Sequence, residues 1–166
     1  MTNYSLSPAE AAQELIKRRQ ARRGMTRFAA YTDPMYQMNW HHALICDTLD
    51  RFIAGEIKKL MVWTPPQHGK SELVSRKAPA KIFGDNPNTK MIAASYAAEL
   101  IQGMNRSVQR LMDSDEYRAL YPTTSLNNNN VRTKSGSYLR NNDIFEIVGY
   151  KGQYRCAGVG GGLTGF

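Results

Sequence analysis

Apolar residues recur at helical spacing in several stretches of the chain and run together in two short ones. Ser7-Pro-Ala-Glu10 opens the first helix. Ser7 can cap it, Pro8 suits its first position, and Glu10 can close a capping box. The helix is expected to reach about Arg23 and stop at Gly24. Its apolar positions, Ala11, Ala12, Leu15 and Ile16, thin out toward the far end, so the second half is expected to lie exposed as an arm. Residues 25–39 show no clear period: Thr32-Asp-Pro34 is a turn signal among the aromatics Phe28, Tyr31 and Tyr36. Asn39 then caps a second helix from Trp40 to about Ala54, with Gly55 as its stop and Leu44, Ile45, Leu49, Phe52 and Ile53 as its buried stripe.

The run at 60–64, Leu-Met-Val-Trp-Thr, reads as an apolar strand. A Pro-rich loop follows, then a helix from Lys70 to about Phe83 that Pro79 should kink or break. Gly84-Asp-Asn-Pro-Asn88 is a turn, and Lys90 to Ser95 a second strand, expected parallel to the first as in a βαβ unit. A long helix over about 97–112 should bury Leu100, Ile101, Met104, Val108, Leu111 and Met112, and a short helical turn is expected at 115–120. From 123 the texture changes to short segments, 131–134, 137–140, 144–148 and 153–157, separated by Gly and Asn, which read as strands and hairpins. A Gly-rich run from Gly158 to Gly165 closes the sequence before Phe166. Glycine is costly to order, so this run is expected to be a loose tail or the start of a longer chain.

A chain of 166 residues can bury a real core, and 42% hydrophobic content does not suggest disorder. No apolar run approaches membrane-spanning length and no h-region begins the chain, so neither a membrane span nor a secretion signal is expected. Cys46 and Cys156 are too few for a disulfide framework and are expected to be reduced, packed thiols. The net charge is +8. Half of that excess lies in residues 1–30, where Lys17, Arg18, Arg19, Arg22, Arg23 and Arg27 outnumber Glu10 and Glu14. Arg18, Arg19, Arg22 and Arg23 are therefore candidate contacts to nucleic acid, the alternative being a solubilising helix face.

Chemistry concentrates after the run at 60–64, in Thr64-Pro-Pro-Gln-His-Gly-Lys-Ser-Glu72. Strand, loop and Gly69-Lys70-Ser71 at a helix start form the layout of a phosphate-binding loop. Backbone N–H groups and the helix N-terminus would hold a polyphosphate, Lys70 would reach its β/γ-phosphates, and Ser71 would ligate Mg²⁺. The usual pattern has Gly where Thr64 stands. The alternative is a plain strand–turn–helix with a solvated Lys70.

Four separated segments carry a resemblance. They are Pro65-Pro-Gln-His-Gly-Lys-Ser-Glu-Leu-Val-Ser-Arg76, Gly84-Asp-Asn-Pro87, Ala93-Ala-Ser-Tyr-Ala97 with Leu100, and Tyr154-Arg-Cys-Ala-Gly-Val-Gly-Gly-Gly-Leu-Thr-Gly165. In this order and spacing, over about residues 38–166, the chain resembles the large terminase subunit of tailed bacteriophages. The resemblance implies an α/β fold of the P-loop NTPase (ASCE) type: a parallel sheet flanked by helices, here incomplete, with a small antiparallel β-hairpin region near the C-terminus. It implies residues 1–30 as a basic helix or arm and 31–166 as part of the ATPase domain. The implied activity is ATP hydrolysis, with Mg²⁺, driving double-stranded DNA into the procapsid. The implied partners are the portal protein, the small terminase subunit and further copies in a homo-oligomeric ring, with no membrane, in the cytoplasm of the bacterial host. Laid onto matching positions, Gln67, His68, Gly69, Lys70, Ser71 and Glu72 would form the nucleotide loop. His42, or else Gln37, would stand for the adenine-recognising Gln motif, and Arg155 for an arginine finger offered to a neighbouring subunit.

The departures limit this expectation. Many relatives have a basic residue where Gln67 stands. In that family an apolar strand ending in an acidic pair follows the Gly-rich segment, and no such strand occurs in these residues. The nuclease domain is also missing. Without those carboxylates the chain is expected to bind nucleotide and hydrolyse it poorly. Two alternatives stay open: a non-catalytic module that binds nucleic acid or a terminase partner, and a different P-loop NTPase of helicase-like type.

Overall fold

The computed structural model describes residues 7–129 and 136–158. The strand expected at 131–134 and the Gly-rich run beyond Gly158 lie outside the described residues.

Helix α1 spans Pro8–Arg23 and starts as its sequence dictates: the Glu10 N–H donates to Ser7 Oγ, and the Ser7 N–H to Glu10 Oε2 at 2.8 Å. Its docking differs from the expectation. Leu15 and Ile16 are exposed, whereas Ala21, in the basic half, is fully buried. Lys81 Nζ donates to the Arg22 carbonyl at 2.7 Å. The arginine-rich end is therefore held against the body by its backbone while most of its side chains face water.

Helix α2, Met25–Thr32, occupies a stretch that shows no clear period in sequence. It buries Met25, Phe28, Ala29 and Thr32, and Asp50 caps it from a distance by accepting from the Met25 N–H. Helix α3, Trp40–Ile53, buries Ile45, Cys46 and Leu49 but leaves Leu44 and Phe52 exposed, contrary to the expected stripe. Residues 71–85 are continuously helical, but not uniformly so. Ser71–Lys77 is wound as a π-helix, and α4, Ala78–Asp85, follows as an α-helix with Pro79 in its first turn. The break expected at Pro79 takes this form, a change of winding, since proline is tolerated at a helix start.

Strand β1 (Lys90–Ser95), helix α5 (Ala98–Asp113) and helix α6 (Asp115–Leu120) follow, then strands β2 (Ile144–Glu146) and β3 (Gln153–Gly158). The sheet order is β1-β3-β2. β1 and β3 pair in parallel, with Met91 opposite Tyr154 and Ala93 opposite Cys156. β2 runs antiparallel to β3, which bears out the expected antiparallel region near the C-terminus. One expectation fails here: β1 does not pair with residues 60–64, which belong to no strand among the described residues. The result is a mixed α/β fold of six α-helices and a small three-stranded mixed sheet among the described residues.

Among the described residues, the core is mainly aliphatic, with the aromatics Phe28, Phe83, Tyr117, Tyr121, Phe145 and Tyr154 set into it. Phe145 stacks on Tyr154 with ring centroids 5.1 Å apart, and Phe83 meets Phe145 edge-on at 5.4 Å. Tyr117 donates its hydroxyl to the Ala80 carbonyl at 2.9 Å, which locks α6 onto α4. Cys46 and Cys156 are both free and buried, as expected. Among the described residues, no helix is long and apolar enough to cross a membrane.

Candidate functional site

The loop at 65–70 is shaped by two residues in the left-handed backbone region, Gln67 (φ 62°) and Gly69 (φ 74°). The conformation is cheap at Gly69 and costs roughly 1 kcal/mol or more at Gln67. Gly69 is also required sterically. A Cβ there would stand 2.5 Å from His42 Nε2 and 2.9 Å from the Tyr36 hydroxyl. His68 Nδ1 lies 2.7 Å from the Pro66 carbonyl; a carbonyl only accepts, so this nitrogen carries the proton.

The two residues with phosphate and metal chemistry are uncommitted. Neither the Lys70 ammonium nor the Ser71 hydroxyl makes a hydrogen bond or ion pair with a described residue. They sit where the π-helical turns begin, next to backbone N–H groups that have no intrahelical partner. Glu72, in contrast, is engaged by Arg76 Nη1 at 2.7 Å and by Lys77 Nζ at 3.5 Å.

Behind the loop lies a layer of polar groups of which the sequence singled out only His42. Lys77 is only 2% exposed, with its ammonium 3.5 Å from Asp33 and 5.4 Å from the Tyr36 ring centroid. Its contact with Glu72 spans five residues, the reach of a π-helix; an α-helical reading pairs Glu72 with Arg76 alone. Among the described residues, four buried side-chain atoms have no hydrogen-bond partner: Tyr36 Oη, His41 Nε2, His42 Nε2 and Thr64 Oγ1. Buried polar atoms are almost always bonded, and each one left bare costs about 1–3 kcal/mol. Tyr36, His42 and Thr64 belong to the loop or touch it, and the His41 ring lies tilted against that of His68, with centroids 5.9 Å apart. Burial and the neighbouring histidines hold His41 below the ordinary imidazole pKa, so its ring favours the neutral form.

Beside the loop, an apolar groove of about 480 Å³ runs between the start of α3 and residues 60–65. Trp40, His41, Leu44, Trp63, Thr64 and His68 are among its walls. Trp40 and Trp63 are 77% and 83% exposed, so two large indole faces are open to a ligand.

The remaining expected residues fall as follows. His42 faces Gly69 rather than the groove, and accepts the Asn39 N–H on Nδ1 at 3.1 Å, so its neutral ring carries the proton on Nε2. His41, its neighbour, lines the groove instead. Gln37 is exposed on the segment between α2 and α3 and makes no hydrogen bond to a described residue. Arg155 is half-buried on the central strand β3, on the face alternate to Tyr154 and Cys156. Arg18 is engaged by Glu14 at 2.7 Å and by the Tyr31 hydroxyl at 3.2 Å, whereas Arg19, Arg22 and Arg23 are exposed. Among the described residues, no group of three or more His, Cys, Asp or Glu side chains is arranged to hold a metal ion.

No protein-family model, curated protein or solved structure matches this chain.

Proposed function

We propose that the loop at 64–71 binds a nucleoside triphosphate with Mg²⁺, and that the chain is an ATPase part of a phage terminase large subunit acting on double-stranded DNA. The observation that carries the nucleotide reading is the pairing of Lys70 and Ser71, both uncommitted at a helix start, with a backing of buried polar atoms that lack partners. The polyphosphate would lie on the N–H groups of the loop, with Lys70 toward its terminal phosphates and Ser71 toward the metal. The groove would take the base between Trp40 and Trp63, and its volume lies within the roughly 300–1,000 Å³ usual for ligand sites. In that arrangement His41 is a better candidate than His42 or Gln37 for reading the base. The terminase assignment rests on the four resembling segments. Portal protein, small terminase subunit, a ring of further copies and the host cytoplasm belong to that assignment.

Titration calorimetry with ATP–Mg²⁺ tests the nucleotide reading. The protein should bind weakly, Lys70→Ala should abolish the heat, and Trp63→Ala should weaken ATP about tenfold through lost stacking. The same Trp63 variant should leave inorganic tripolyphosphate binding unchanged. If Lys70→Ala binds like the parent, the loop is not a nucleotide site.

A second reading, binding without turnover, is favoured by one observation: β1 and β3 end at Ser95 and Gly158, and neither brings a carboxylate pair to its end. Hydrolysis needs such groups to hold the metal's water shell and orient the attacking water. Phosphate release by residues 1–166 at an ordinary ATPase rate would exclude this second reading.

A further inference from the structure

A polar depression of about 230 Å³ lies between α5 and the segments at 128 and 140–142. Arg106, Arg110, Arg140, Asn128, Asn141 and Asn142 line it. Its floor is braced. Gln109 is buried and donates to Asn105 Oδ1 at 2.8 Å and to the Asn141 carbonyl at 2.7 Å. Asn105, fully buried, donates to the Asn142 carbonyl at 2.8 Å. Arg140 crosses from the opposite wall to Gln109 Oε1 at 3.1 Å, to the Asn127 carbonyl at 2.8 Å, and to Asp113. The asparagine backbone on one wall is thus tied to α5 on the other by buried amides.

Charge is unevenly spent here. Asp113 is taken by Arg140 and Arg118, and Asp143 accepts from Gln102 at 2.7 Å. Arg106 and Arg110 stand one turn apart on the exposed face of α5 and make no ion pair or hydrogen bond with a described residue. Two guanidinium forks with planar donors therefore face the same rim as the asparagine amides. That donor set suits the oxygens of a phosphodiester, which arginine holds in bidentate fashion. None of the lining residues is aromatic. Single-stranded nucleic acid is usually held by bases stacked on aromatic rings, so this surface suits a duplex backbone instead.

We propose that the α5 depression is a contact site for the phosphate backbone of duplex DNA, with Arg106 and Arg110 as its charged grips and Arg140 as the residue that positions the wall. The site deepens the DNA side of the function above and rests on that reading only for the choice of duplex. It is distinct from the basic helix α1.

The test is fluorescence anisotropy of the full chain with a labelled duplex across a salt series. Arg106→Glu/Arg110→Glu is compared with Lys58→Glu/Lys59→Glu, which changes the net charge by the same amount at another exposed surface. The α5 variant should lose at least about tenfold in affinity beyond the control, and its slope of log K against log salt should flatten by about two. Equal loss in both variants overturns the site, as does tighter binding of a single strand than of the duplex. Competition by millimolar inorganic phosphate that displaces the duplex fully would assign the depression to a free anion, which also overturns it. ATP–Mg²⁺ calorimetry on the same variant should match the parent. A failed DNA result with intact, Lys70-dependent ATP binding therefore counts against the depression alone.

Discussion

Tyr36 carries a hydroxyl that is buried beside Gly69 and bonds to no described residue, while Lys77 places a cation 5.4 Å from its ring centroid. Burial, assisted by nearby Cys46, Glu72 and Asp33, pushes its pKa up to about 12, so it remains a neutral phenol. A bare hydroxyl destabilises the empty protein and would help only when a ligand or a bound water reaches it. Tyr36→Phe should therefore raise unfolding free energy by about 1 kcal/mol in urea titrations while weakening ATP–Mg²⁺ several-fold. A variant less stable than the parent would mean that the hydroxyl already has a partner, and the case for a ligand there would fall. Lys70 and Ser71 were legible from sequence because their chemistry is local: a tripeptide at a helix start. Tyr36 and His41 were not, because the loop meets them only after folding joins segments some thirty residues apart, and Lys77 was not, because its burial against Asp33 and Tyr36 depends on the same joining. His42 was singled out for the base, yet one step along a helix turns a side chain by about 100°, and that step separates the groove from the loop.

Helices show the same division between local and distant causes. α1 was readable because Ser7 and Glu10 cap it within four residues, whereas α2 begins at an unhelpful Gly24 and ends at Asp33-Pro34. Asp50, on α3, makes α2 possible by accepting the Met25 N–H with both carboxylate oxygens, at 2.9 and 3.0 Å. A Cβ on residue 24 would come within 3.2 Å of that carboxylate, so glycine lets it approach. Residues 60–64 had a strand's composition but not a strand's partner, and pairing is not written in the segment itself. Asp50 also supplies a pH prediction. Burial raises its carboxyl pKa above the ordinary 3.8, outweighing the Met25 N–H and the Lys81 charge, which act the other way. The folded protein then binds this proton more tightly than the unfolded chain, so stability falls as pH rises from 3.8 through the folded-state pKa. Asn at 50 keeps an acceptor and cannot titrate. The difference in unfolding free energy, parent minus Asp50→Asn, should thus grow as pH is lowered through that window. A difference that shrinks would place the folded pKa below the ordinary value. Asp50→Ala, which removes the cap, should cost about 0.5–2 kcal/mol at neutral pH.

At the scale of the whole molecule, an excess of eight positive charges surrounds a core that offers two separate sets of anion donors, the loop at 65–71 and the α5 depression. Both could attract a triphosphate through charge alone, so weak binding by itself does not say which one holds it. Thermal unfolding separates them. A ligand that binds only the folded state at about one hundred times its Kd stabilises by about 2.7 kcal/mol. For a chain of 166 residues that corresponds to a Tm rise of about 5–11 °C. ATP–Mg²⁺ should produce a rise of this size in the parent and in Arg106→Glu/Arg110→Glu, and none in Lys70→Ala. Duplex DNA at low salt should reverse the pattern, stabilising Lys70→Ala like the parent and the α5 variant less. If ATP instead stabilises Lys70→Ala and fails on the α5 variant, the triphosphate sits among the arginines, and the loop, despite its sequence, is not where it binds.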